Sequence, residues 1–395
     1  MLRTLVAACA FLCADIAIAS DRLNILDYAP PGAKVDRAGG ADASEALANA
    51  VSAANAKTAK GEPVCVYIPP GSYRIVTPPP PFVGAGCVMG DGPSQSTLVI
   101  DRRFDGDLFA WSEAWAVTKP GPMVVGVSIH GDKAATAIQN AFVFYDRNDQ
   151  VFIDNVDVLD LHGRALLSGV ARNVPQAYMR ESHMRSLRFF RDGAPGVPVI
   201  EFNSQGSGNI DATNEIRMSQ VDIYGSRGPS FVIRNNGSGA VRNITIDALR
   251  IEGLENGKVD ADLLTIGDPN MRGKVNNITL TNIELIDPYS GYAAVRLTAP
   301  PDAAAPYQIT VQGFIGGGVP NGQGLRIDAG RASFFRFSGI HTTGTNVVIG
   351  RGVSQIVLDG GGQEANWTYE IDPTSQKALH IPVYRTGDPT ATGIQ

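Results

Sequence analysis

The sequence predicts an all-β fold, a single-stranded parallel β-helix with three strands per coil and an N-terminal α-helical cap. Three observations predict it. Asn-initiated fragments recur, most plainly Asn243-Ile-Thr-Ile-Asp-Ala-Leu-Arg-Ile251 and Asn277-Ile-Thr-Leu-Thr-Asn-Ile-Glu-Leu285, and irregular self-similarity at about 30 residues points to a solenoid. With anchors at Val127, Val156, Leu187, Val221, Leu249, Ile283, Phe314 and Ile340, the positions at anchor −5, −3, 0 and +2 are apolar in 28 of 32 cases. The anchor −1 column reads Gly126, Asn155, Ser186, Gln220, Ala248, Asn282, Gly313 and Gly339, mostly small or amide residues that tolerate a sharp bend or a left-handed backbone.

Two alternating strands therefore meet at a one-residue corner, and a third comes after each loop, as in Val199-Ile-Glu-Phe202, Ser230-Phe-Val-Ile-Arg234 and Leu263-Leu-Thr-Ile266. Coils stacked in this way bury a continuous core. A leucine-rich repeat would need a fixed period and a Leu-x-x-Leu-x-Leu signature that this chain lacks. A two-domain enzyme would need a linker, and none interrupts residues 120–358.

Composition agrees. Gly (44) and Pro (25) together make about 17% of 395 residues, hydrophobic residues 44% and charged residues 18%, which excludes a disordered or coiled-coil chain. A net charge of −6 gives nucleic acid no global attraction. The 33 basic residues are 25 Arg and only 8 Lys, which either favours planar recognition of carboxylate groups or reflects a GC-rich genome.

Residues 1–19 have the layout of a secretory signal: Arg3, an apolar run from Leu5 to Cys13, and Ala17-Ile18-Ala19 before Ser20. The run is too short to span a bilayer, and Asp15 interrupts it, so stable membrane insertion is not expected. A secreted or periplasmic location is the consequence. Cleavage removes Cys9 and Cys13 and leaves Cys65 and Cys87, which are expected to pair, two buried thiols being the alternative. Residues 20–100 are read as the cap and first coils, 101–362 as the β-helix and 363–395 as a C-terminal cap and tail. The cap helix is expected over residues 41–57, with Asp42 or Ser44 at its start and Ala46, Leu47, Ala50, Val51 and Ala54 on one face.

The entry to this solenoid resembles that of the pectate-lyase superfamily of right-handed parallel β-helix proteins, which includes tailspike depolymerases. The residues that carry the resemblance are Asn24-Ile-Leu-Asp-Tyr28, Gly32-Ala-Lys34, Asp42-Ala-Ser44 before the helix, and Tyr67-Ile-Pro-Pro-Gly-Ser-Tyr-Arg-Ile75. The acidic loop departs from the family, with Asp36-Arg-Ala-Gly-Gly-Ala-Asp42 in place of a Gly-Asp-Gly run. The resemblance implies a right-handed coil, and a polysaccharide lying along its outer face as partner.

Outward positions are thus where chemistry is expected. At anchor +1 they are Ser128, Asp157, Arg188, Asp222, Arg250, Glu284, Ile315 and His341. This alternation is either a salt-bridge ladder or, through Asp157 and Asp222 about 9.6 Å apart, an acid and base pair near the upper separation for an inverting glycosidase. Loops crowd residues 159–236, and six arginines lie between Arg164 and Arg191, a patch suited to an acidic polysaccharide. For a lyase, Arg164, Arg227 and Arg234 are the candidates to neutralise a uronate, and His162 or Tyr224 to move protons. For a glycoside hydrolase the candidate carboxyl groups are Glu201, Asp211 and Glu215. The rival reading is a non-catalytic polysaccharide-binding protein. No cofactor is implied: the one calcium candidate, the acidic cluster from Asp101 to Asp107, is interrupted by arginine. No metal-ligand spacing links the other histidines.

Overall fold

The computed structural model describes residues 21–380, apart from 63, 115–120, 207–211, 254–258, 302–304, 318–319, 360–366 and 376–378. The expected leader, Asp211 and most of the tail therefore lie outside the described residues.

Strands pair in parallel with their counterparts one coil before and one coil after. Phe152–Leu159 lies beside Tyr178–Phe190, which lies beside Thr213–Tyr224, then Ala240–Glu252, then Lys274–Ile286. A second stack of shorter strands interleaves with the first: Leu166–Val170, Ile200–Phe202, Phe231–Ile233, Leu264–Gly267 and Ala293–Thr298. This is a parallel β-helix. Its right hand is the one that parallel crossovers take almost without exception. The stack begins early, with Asp21–Asn24 on Val64–Ile68, and runs past residue 363 as Tyr369–Ile371 on Val347–Ile349.

The corners result from residue type. Gly126, Asn155, Ser186, Gln220, Ala248 and Asn282 hold φ between 52° and 69°, the left-handed conformation expected of the anchor −1 column. The structure adds a corner that the sequence pattern does not contain. Gln150, Glu181, Glu215, Asn243, Asn277 and Gln308 form a second left-handed column, with φ between 51° and 57°, so the four strands Tyr178–Phe190, Thr213–Tyr224, Ala240–Glu252 and Lys274–Ile286 each bend twice. Side-chain amides stack along it: Asn243 Nδ2 donates to Asn214 Oδ1 at 2.6 Å, and Asn277 Nδ2 donates to Asn243 Oδ1.

Inward residues form one continuous core from Leu23 to Trp367. Ile244, Ile246, Leu249 and Ile251 are at most 1% exposed, as the register requires. Aromatic rings stack through successive coils, Phe82 on Trp111 at 5.2 Å and Trp111 on Phe144 at 5.0 Å. At one corner the expected register slips. Leu280 faces Val311, but Ile283 faces Gly313, so this coil is one residue short at its corner. The slip inverts the remainder of the strand: Ile315 enters the core and Phe314 turns outward beside Glu284, the reverse of the expectation. Glycine permits it, because a Cβ at position 313 would lie 2.0 Å from the Ile283 carbonyl oxygen.

A helix forms over Ser44–Thr58, and Ala46, Leu47, Ala50, Val51 and Ala54 are its buried apolar residues. Asp42 Oδ1 accepts the Ser44 N–H at 2.9 Å just before its first turn. The Ser44 hydroxyl in turn accepts the Val76 N–H at 2.7 Å, tying the helix to the second strand of the entry. Cys65 and Cys87 face each other on adjacent rungs and are joined by a disulfide. No helix among the described residues is long and apolar enough to cross a membrane.

Candidate functional site

Where the long strands end, period-2 alternation turns His130, Leu159, Phe190 and Tyr224 outward in one lateral row. Phe190 and Tyr224 stack at 4.7 Å with their planes 7° apart, and the Arg191 guanidinium lies over the Phe190 ring at 4.5 Å. The result is a flat aromatic platform edged by a cation.

Beyond this row the chain turns through left-handed Asp160 and Arg191. From Asp160 to Ala165 the side chains alternate, placing Asp160, His162 and Arg164 outward while Leu161, Gly163 and Ala165 are buried. Asp160 accepts from Arg191 at 2.8 Å and from Arg227 at 3.2 Å. His162 sits beside Arg227; burial and that cation together lower its pKa, which favours the neutral imidazole. Burial likewise lowers His130, against the pull of Asp157 and Asp160. Asp192, 1% exposed, accepts from the Leu161 and Phe190 backbone N–H groups, and burial pushes its carboxyl well above the usual range. Two guanidinium groups thus share the Asp160 carboxylate, beside the His162 imidazole and an aromatic platform.

The next corner carries a different cluster. Arg164 and Arg234 are expected from the sequence to hold a substrate carboxylate, yet each already holds a carboxylate of the protein. Glu201, 1% exposed, accepts from Arg164 Nε at 2.8 Å and from Arg234 Nη2 at 2.5 Å, and Arg234 also reaches Asp268 at 3.1 Å. Two cations meet two anions there, and Glu201 is sealed beneath them. Three coils before Glu201, Asp107 accepts from Asn140 and from the Tyr145 hydroxyl, each at 2.8 Å, while burial above all raises the Tyr145 pKa and keeps it a donor.

Asp157 and Asp222 flank Arg188 on adjacent rungs. Arg188 Nε donates to Asp157 at 2.8 Å, and Arg250 lies 3.4 Å from Glu284 further along the same column, the arrangement of a salt-bridge ladder. Glu215 occupies the added left-handed corner, two strand segments away from His162 along the coil path. The structure therefore sets His162 beside Arg227 with Tyr224 on the adjoining platform, leaves Asp157 and Asp222 on the Arg188 ladder, puts Arg164, Glu201 and Arg234 at the neighbouring corner, and leaves Glu215 apart. The sequence pattern does not single out Asp160, Phe190 or Asp192 as site residues; counting the anchor +3 column would have found the Phe190 and Tyr224 row. In the calcium candidate, Asp101 is held by Arg74 and Arg103. Among the described residues no group of three or more His, Cys, Asp or Glu gathers to hold a metal ion.

No protein-family model and no curated protein sequence matches the chain. Solved structures do. The ORF18 protein of Geobacillus virus E2 superposes with a TM-score of 0.57 at 9% identity, over 87% of this chain. This chain spans 62% of that viral protein's length. The A-module of mannuronan C-5 epimerase AlgE6 from Azotobacter vinelandii gives 0.43 at 12% identity, over 91% of this chain and 97% of that one. A hyperthermoactive exopolygalacturonase from Thermotoga maritima gives 0.42 at 10% identity, over 85% and 86%. At these identities the likeness is one of fold.

Proposed function

We propose that the chain acts on an acidic polysaccharide laid across the outer face of the coils anchored at Val156, Leu187 and Val221, and that it does so as a lyase. The observation that carries this reading is His162, its pKa lowered by burial and by the neighbouring Arg227, set beside the Arg227 and Arg191 pair that converges on Asp160. In such an elimination the arginines take up the charge of a uronate carboxylate. His162 removes the proton from the adjoining ring carbon, the glycosidic C–O bond breaks as a C=C bond forms, and the leaving oxygen gains a proton. The Tyr224 hydroxyl, on the platform, is the candidate donor, with its ring and that of Phe190 seating a sugar face.

Hydrolysis is less well supported, because Asp157 is engaged by Arg188 and Glu201 is buried between two arginines. We also place the protein outside the cytoplasm, as a secreted or periplasmic enzyme, on the leader-like residues 1–19 and the Cys65–Cys87 disulfide. The Ser44–Thr58 helix is read as the cap on the first coil, because its buried face joins the core at that end.

One experiment tests the reading. The protein is incubated with a panel of acidic polysaccharides while ultraviolet absorbance of unsaturated ends and new reducing ends are monitored together. Both signals are expected. Reducing ends alone would make it a hydrolase, and binding with neither signal a binding module.

A further inference from the structure

His162 occupies a loop, and a base that is to meet one ring proton must be held in place. Asp192 lies on the next coil and makes no direct hydrogen bond to the imidazole, yet its neighbourhood fixes His162 from both sides. Its Oδ1 accepts the Leu161 N–H at 2.8 Å, and the adjacent Gly193 N–H donates to the Gly163 carbonyl at 3.0 Å. The residues before and after His162 are thereby pinned to one peptide. Its Oδ2 accepts the Phe190 N–H at 3.1 Å, and its own carbonyl accepts the Arg227 N–H at 2.8 Å. One buried side chain and its backbone thus tie together base, platform and cation, drawn from three successive coils.

We propose that Asp192 is the positioning residue of this site, setting the place of His162 relative to Arg227 and the Phe190 platform. The inference rests on the proposed role of His162. Burial supports it independently of that role: an inaccessible carboxyl satisfied by backbone N–H groups is suited to anchoring and cannot itself meet a substrate.

The test compares Asp192→Ala and Asp192→Asn with Asp262→Ala. Asp262 is a buried carboxylate of similar anchoring type elsewhere in the stack, accepting the Ala293 N–H at 2.8 Å. Only five histidines contribute imidazole resonances to the NMR spectrum, and the His162→Ala spectrum identifies that of His162. In Asp192→Ala the His162 titration midpoint is expected to rise towards the ordinary histidine value, with kcat on the acidic polymer falling about tenfold to a hundredfold. Asp192→Asn keeps an oxygen for Leu161 and is expected to restore most of the His162 midpoint. It also serves if the alanine variant does not fold. Asp262→Ala is expected to lower stability while leaving both readouts in place. An unchanged His162 resonance and midpoint in Asp192→Ala would overturn the proposal, as would an equal change in Asp262→Ala. If the wild-type protein cleaves no polymer, the lyase reading fails, and the resonance comparison still decides whether Asp192 positions His162.

Discussion

At the scale of single residues, burial and pairing separate side chains that look alike in the sequence. His162 and Glu201 are both titratable groups near arginine, but only the first is open to a substrate. Replacing His162 with alanine is expected to lower kcat by ~10²–10⁴ with the fold intact, measured by initial rates and circular dichroism. The sign of its pH dependence comes from its lowered pKa: kcat/KM should rise as pH increases through a midpoint below the usual histidine value, because the base must lose its proton first. A rate that falls across that interval would remove His162 from the role of base. For Glu201 the expectation concerns stability. Glu201→Ala strands Arg164 and Arg234 without their shared partner and should cost about 3–5 kcal/mol in denaturant unfolding. Asp222→Asn, on the exposed ladder, should cost no more than about 1 kcal/mol.

At the scale of the element, the repeat is legible because strand alternation and the bend column leave a pattern that survives variable loop lengths. Ala46, Leu47, Ala50, Val51 and Ala54 are likewise readable as one helix face. Pairing between coils is not legible. Arg164 meets Glu201 across 37 residues, Arg234 meets it across 33, and Arg227 meets Asp160 across 67, so each partnership depends on the summed lengths of the intervening loops. A count of arginines therefore cannot show which of them retains charge for a ligand. Phe314 exposes the same limit: a fixed alternation runs straight through a corner that has lost a residue, and every later side chain in that strand changes face. The corners also allow a test. Ala248 holds φ at 55°, a conformation that a Cβ disfavours, so Ala248→Gly should raise stability by roughly 1 kcal/mol, read as a higher denaturant midpoint. No gain would mean that the strand ladder on either side, and not the residue, sets the cost of this bend.

At the scale of the whole molecule, strands pair with their counterparts one coil before and one coil after, so stability is largely a chain of local interfaces and the outer face is a continuous track. Such a stack can in principle begin to form anywhere along its length, and the first contact between two coils is the costly one, since every later coil adds to an edge that already exists. The Cys65–Cys87 bridge bears on that first contact. It joins two residues that already face each other on neighbouring rungs, 22 positions apart, close to where the stack begins. By closing that ring in the unfolded chain it is expected to contribute about 3 kcal/mol, and it places that contribution at one end. Growth is thereby given a starting point and a direction. In native-state hydrogen exchange the amides of Val64–Ile68 should then outlast those of Val347–Ile349, and reduction of the bridge should shrink the difference. Equal protection before and after reduction would show that the two ends nucleate alike. Under the export proposed above, this polarity would have a further effect: the anchored end emerges before the rest of the coil, so assembly can keep pace with delivery of the polypeptide and leave fewer bare strand edges open to other chains.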